Sequence, residues 1–252
     1  MSVEDLRKQN MDEAKELYKY IAEIIESGVM PWDWRKKRKE RTELVLSMMS
    51  LLRLLRGENV FFDPRHFEGV IKWWKIFVEK YPEMDKWIKI YEERSREKSK
   101  IAEIGERLVD LSSSPFSPPV YLSMAFEYEP LPRWGQITQE FHKLLNVLAH
   151  VKVGMFHLPA WQSTDELWYH DEKTGKLKWE SKVLHGDKPE ELIESMKEEL
   201  GNNELEHPYT VYLITFLRAL TEKEVNLRGY LLWKEPAGEV FSETLETKTF
   251  TF

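Results

Sequence analysis

Apolar residues in the first 110 positions recur at intervals near three and four, the spacing of one buried helix face. Val3, Leu6, Leu17, Ile21, Ile24 and Ile25 form the first such stripe, and Gly28 marks its end. A second stripe runs through Leu44, Met48, Leu51, Leu52 and Leu55, within Thr42 to Arg56. Asp63-Pro64 reads as an N-cap with proline at the first helical position, where the missing N–H costs nothing. The stripe that follows is Phe67, Val70, Ile71, Trp74, Phe77 and Val78, up to Tyr81. After Pro82 the residues Met84, Trp87, Tyr91, Ile101, Ile104 and Leu108 predict one more long helix.

The period changes after Ser112-Ser-Ser-Pro-Phe-Ser-Pro-Pro119, a stretch that cannot continue a helix and is expected to bury little. Pro119 to Tyr128 is apolar and aromatic, as in a strand, and Pro132 to Ala149 has the spacing of a helix. Val151 to Leu158 returns to strand. Glu166 to Asp171 and Lys176 to Val183 flank a turn with Gly175 and predict a hairpin. Lys188 to Gly201 predicts a short helix, and Tyr209 to Leu217, Val225 to Lys234 and Val240 to Phe252 predict three strands. The first of these three is a continuous apolar run whose period does not itself separate strand from buried helix; its β-branched and aromatic content favours strand. The expected fold class is α+β: an N-terminal four-helix unit over 1–111, a joint at 112–118, and a C-terminal α+β domain over 119–252 with a mainly antiparallel sheet.

Charge sharpens the division. Residues 1–110 hold 23 basic and 22 acidic side chains, a net of +1, and residues 111–252 hold 14 and 22, a net of −8. The near-neutral half contains Arg35-Lys-Lys-Arg-Lys-Glu-Arg41, six cations in seven positions, preceded by Trp32 and Trp34. A solvated first turn of a core helix would account for such a run. Positive charge there opposes the helix macrodipole by ~0.3–1 kcal/mol, however, so stability alone favours acids at that place. The alternative is contact with phosphate: Arg35, Lys36, Lys37, Arg38, Lys39 and Arg41 against a nucleic-acid backbone, with Trp32 or Trp34 stacked on a base. The same run followed by Leu44 to Met49 also has the composition of an interfacial helix on anionic lipid, a less favoured reading.

No local catalytic motif is present. The chain lacks Gly-x-Ser-x-Gly, the phosphate-loop pattern, Gly-x-Gly-x-x-Gly and His-Glu-x-x-His. With no cysteine, disulfides and thiolate metal sites are excluded. His142 and His150 lie eight apart on one expected helix, and His157 and His170 stand near Asp165, Glu166 and Asp171. A divalent metal held by His157, His170 and a carboxylate would make a metal-dependent hydrolase, but scattered hydrogen-bonded histidines are the plainer account. No cofactor is indicated.

Aromatic residues reach 13%. Phe126 and Tyr128, two apart on an expected strand, could stack on bases if that sheet face were open; filling the space between sheet and helices is the favoured reading. An aromatic surface would also suit a subunit interface, hence a structural or homodimeric protein. The abundance of Lys, Arg and Glu beside four Gln and six Asn resembles a hyperthermophile's intracellular protein. The longest near-apolar run falls far short of the ~20 residues of a membrane span, and no apolar leader precedes Glu4 and Asp5, so a cytoplasmic protein without a transmembrane segment is expected. The function expected on these grounds is a non-catalytic nucleic-acid-binding accessory protein.

Overall fold

A mixed sheet lies between two groups of helices. The computed structural model describes residues 2–26, 38–63, 65–78, 82, 84–96, 109–115, 122–130, 134–158, 164–170, 177–183, 189–221 and 223–252. Its helices are α1 (Val3–Glu26), α2 (Arg38–Leu55), α3 (Phe67–Phe77), α4 (Met84–Arg96), α5 (Trp134–Leu145) and α6 (Pro189–Asn202). Its strands are β1 (Asn59–Phe62), β2 (Leu111–Ser114), β3 (Leu122–Glu129), β4 (Ala149–His157), β5 (Thr164–His170), β6 (Leu177–Val183), β7 (Val211–Ala219), β8 (Glu224–Lys234), β9 (Val240–Thr244) and β10 (Lys248–Thr251). The order across the main sheet is β1-β2-β3-β4-β7-β8-β10, with β9 also on β8. The pairs β3–β4 and β4–β7 are parallel and the rest antiparallel, so the α+β class with a mainly antiparallel sheet holds.

Alternation along the central strands builds both cores. On β7, Val211, Leu213 and Leu217 face α1 and α2, while Tyr212, Ile214 and Phe216 face α5 and α6. On β3, Met124 and Phe126 take the first side and Ala125 the second. Helix α1 starts with a capping box: the Ser2 N–H donates to the Asp5 carboxylate and the Asp5 N–H to the Ser2 hydroxyl. Its Ala14, Leu17, Tyr18, Ile21 and Ile25 settle on the sheet. Tyr18 lies so close to β8 that a Cβ at Gly229 would stand 2.5 Å from its ring.

Among the described residues, the first 110 positions do not form the expected four-helix unit by themselves. They also supply β1, and their helices cover one face of the sheet. Tyr91 of α4 holds β1 at its outer edge: the Val60 N–H donates to the Tyr91 hydroxyl at 2.8 Å, and that hydroxyl donates to the Val60 carbonyl at 2.7 Å. Trp74 of α3 is fully buried and donates from Nε1 to the Ser50 hydroxyl of α2. Helix α3 begins at Phe67, and Asp63 accepts from the backbone and guanidinium of Arg65; Pro64, expected as the first helical residue, lies outside the described residues.

The serine stretch departs most from expectation. Leu111 to Ser114 is a strand with every residue buried, hydrogen-bonded on both sides. Its polar side chains are tolerated because partners wait for them. Arg53 of α2, 1% exposed, donates to the Ser113 hydroxyl and to Glu58, and pairs with Glu13 of α1. Glu58 in turn accepts from Ser123 of β3. A serine-rich strand can be central when the neighbouring elements complete its hydrogen bonds. The expected final strand is also two, β9 and β10. Val240 to Phe252 therefore folds back on β8.

Candidate functional site: a charged cleft at the carboxyl end of β3

The parallel strands β3 and β4 end together, and there the chain must leave the sheet. In open sheets with parallel strands such ends leave a crevice. A cleft of about 390 Å³ opens at this place. Its walls come from four separate elements: Lys39 and Thr42 in the first turns of α2, Arg65 and His66 after β1, Asp110 before β2, and Glu140 and Lys143 on α5, with Tyr128 and Glu129 of β3 at the base.

Alternation sends consecutive β3 residues to opposite faces. Tyr128 points toward the α1–α2 side, where its hydroxyl and Nε2 of His157 on β4 are 2.8 Å apart. Both rings are buried. Burial, reinforced by the positive charge of Arg41, pulls His157 down to about 3, so the ring is neutral. Tyr128 is pushed upward by burial.

Glu127 points the other way, toward α5, and is 0% exposed. Among the described residues no donor hydrogen-bonds to either of its carboxylate oxygens. Lys143 Nζ stands 3.5 Å from Oε2 of Glu127 and donates to Glu140. Burial first, then the negative charge of Asp110 and contact with the Glu140 carboxyl, push Glu127 up to about 11. Asp110, also raised by burial, accepts the Tyr128 N–H at 3.0 Å, and its other oxygen is 4.0 Å from His66 Nε2. Asp110, Glu140 and Lys143 thus stand on the wall of an open cleft with Glu127 buried behind them, and the Arg65 guanidinium adds a second positive charge facing Asp110 and Glu127. Among the described residues no three carboxylates or histidines already stand at the spacing of a metal centre.

Of the cationic run, Lys39 is 69% exposed and lies 3.6 Å from Glu43 in an i,i+4 pair. Arg41 is buried. Arg38 opens α2, while Trp32, Trp34, Arg35, Lys36 and Lys37 lie outside the described residues. Among the described residues the histidines do not converge. His142 on α5 pairs with Glu199 of α6 at 2.9 Å, His150 belongs to β4 and not to the same helix, and the His170 side chain is outside the described residues. Phe126 is fully buried and Tyr128 nearly so; neither presents a ring to a base.

The residues that sequence reasoning missed are Asp110, Glu127, Glu140 and Lys143. One signal was available: Glu127 is an acid flanked by Phe126 and Tyr128 on an expected strand, and such a residue is rarely fully buried without a partner. No helix among the described residues is long and apolar enough to cross a membrane. Comparison of the chain with protein-family models, with curated proteins and with solved structures gives no match.

Proposed function

We propose that the protein binds nucleic acid through the basic segment 35–41 and brings a backbone phosphate to the mouth of the cleft. One juxtaposition supports this reading: Lys39 and Thr42, in the first turns of α2, line the cleft, so one cation of the run stands at its rim. A helix of 18 residues also directs the positive end of its dipole there. The Lys39–Glu43 pair is exposed on the lysine side and is worth little in water, so Lys39 can exchange its carboxylate for a phosphate. Arg41 has a different part. Its buried charge acts on Tyr128 at the base of the cleft and on His157 behind it, as a fixed field and not a surface contact.

The test is fluorescence anisotropy with labelled single- and double-stranded DNA and RNA, run in parallel on a Lys36→Glu, Lys37→Glu, Arg38→Glu variant. Contacts to about four phosphates predict a loss of affinity on the order of 10²-fold between about 50 and about 200 mM salt. The variant is expected to lose binding altogether. Absence of binding at low salt, or affinity indifferent to salt, would overturn the reading.

A further inference from the structure

We propose that β9, at the free edge of the main sheet, is a self-association surface. A second copy of this chain adds its own β9 there, antiparallel, about a two-fold axis at Ser242. The proposal rests neither on nucleic-acid binding nor on the charged cleft.

The two edges of the sheet are finished differently. At the β1 edge the Val60 N–H and carbonyl are both taken by the Tyr91 hydroxyl of α4, which blocks the addition of a strand at that residue. Among the described residues β9 has no such cover and pairs only with β8. Its phase is fixed by two bonds: the Glu235 N–H donates to the Glu239 carbonyl, and the Leu245 N–H to that of Gly229. Counting by two in this register, Phe241 and Glu243 spend their backbone groups on β8. The N–H and C=O groups of Val240, Ser242 and Thr244 therefore point outward, and among the described residues no partner meets them. The Ser242 and Thr244 side chains are exposed, and Phe241 is 38% exposed. This open run has definite ends. The Glu235–Glu239 turn closes one side, and an extra residue over 245–247 breaks the ladder on the other, where the Tyr18 hydroxyl donates to the Glu246 carbonyl.

What fits this edge is the edge itself. With the axis at Ser242, the two Ser242 residues face each other and Val240 faces Thr244 of the second copy. Every outward N–H and C=O of the run then finds a partner, about six hydrogen bonds in all. On the α1 side Phe241 faces Glu243 of the second copy and lies diagonal to its Phe241. No like charges are opposed, and Glu243 is already paired within its own chain to Lys15 of α1 at 2.8 Å. Phe241 stacks on Trp233 of β8, with ring centroids 6.0 Å apart and planes 17° apart, so association joins two stacked pairs into one aromatic row. The segment Val-Phe-Ser-Glu-Thr is rich in β-branched and aromatic residues and contains no proline to interrupt a ladder. An interface built on such short strands sits at the small end of specific contacts, so a dissociation constant on the order of 10–100 µM is expected.

Sedimentation equilibrium of the full chain, without nucleic acid, from about 5 to about 300 µM tests the surface. The expected result is an average mass that rises with concentration from the 30.2 kDa of one chain towards twice that value. Ser242→Pro removes an N–H that only the second copy uses, at an edge position where proline is tolerated, and should weaken association by about tenfold or more. Ser242→Lys sets like charges face to face on the axis and serves if the proline variant does not fold. Cross-linking adds a second readout. The chain has no cysteine, so Ser242→Cys introduces a single thiol. Facing residues of a hydrogen-bonded antiparallel pair stand about 5.5 Å apart at Cα, within reach of a disulfide. Mild oxidation should therefore link this variant into dimers much faster than Lys89→Cys, at an exposed position on α4. A chain that keeps the mass of one copy at about 300 µM would overturn the proposal. So would a dimer that persists unchanged in a folded Ser242 variant, or equal rates of cross-linking in the two cysteine variants.

Discussion

Lys152 and Lys143 both reach carboxylates on the α5–α6 side of the sheet, under opposite conditions. Lys152, on β4, donates to Glu206 at 2.6 Å and to the Tyr212 hydroxyl at 2.9 Å, and Tyr212 donates to Glu206. The lysine and the glutamate are 1% and 2% exposed. Every charge there has a hydrogen-bonded partner, and the cluster is closed to solvent. At the carboxyl end of β3, by contrast, Lys143 is shared between Glu127 and Glu140, and Glu127 accepts no hydrogen bond among the described residues. That group faces an open cleft. The two clusters use the same residue types, so composition does not separate them. Completeness does: a closed, satisfied pair ties elements together, whereas an open, unsatisfied one has capacity left for a ligand.

The comparison breaks most visibly at Glu206. Glu206→Ala would strand the Lys152 ammonium in the interior and should cost ~3–5 kcal/mol in urea unfolding, with Lys152→Met in the same chain recovering much of it. A loss below ~1 kcal/mol would show that Lys152 has another outlet. Glu127→Gln should do the reverse. Glu127 is raised from an ordinary 4.5 to about 11 among Asp110, Glu140 and Lys143, so the folded state holds a proton that the unfolded chain gives up. Stability is therefore greatest below about pH 4.5 as far as this group is concerned, and falls as pH rises through that window. The amide removes that pH dependence and should stabilise by ~1–3 kcal/mol at pH 8, with a smaller gain at pH 5. Equal effects at both values would mean that Glu127 is ionised in the fold.

On the opposite face the sign changes. His157 is lowered from 6.5 to about 3, mainly by burial, so its contribution is present above pH 6.5 and lost as pH falls. Replacing it with Gln should flatten the acid limb of the stability curve, and an unchanged limb would place the acid transition elsewhere. Tyr128→Phe leaves His157 Nε2 without the hydroxyl at 2.8 Å and should cost ~1–2 kcal/mol. The smallest effect is expected at the exposed Asp85–Lys89 pair on α4, where removing either charge should leave the urea-unfolding midpoint unchanged; a clear shift would show that the pair is not merely a solvated surface contact.

Much of the element order was legible along the chain. Helices α1, α2, α3, α5 and α6, strands β3, β4, β7 and β8, and the β5–β6 pairing follow from apolar period and turn residues, because those signals act over a few positions. Strands β1 and β2 were not legible. Asn59–Phe62 is too short to show a period, and Leu111–Ser114 is buried only because Arg53, Glu58 and Ser123 come to it from elsewhere. The cleft was hidden for a related reason. Glu140 and Lys143, three apart on α5, look like an ordinary surface pair, and Asp110 sits 17 positions before Glu127 in a stretch that reads as helix end.

What the sequence alone determined was which segments could bury one side, since hydrophobic spacing is a property of neighbouring residues. It also determined where cationic charge is concentrated, at 35–41. Which carboxylates lose their water was decided by tertiary structure. Antiparallel pairing brings Asp110 beside Glu127 and Tyr128, and strand alternation turns Glu127 toward α5. Desolvation and the proximity of like charges arise only when distant segments close around a group, and those two effects set the chemistry of this cleft.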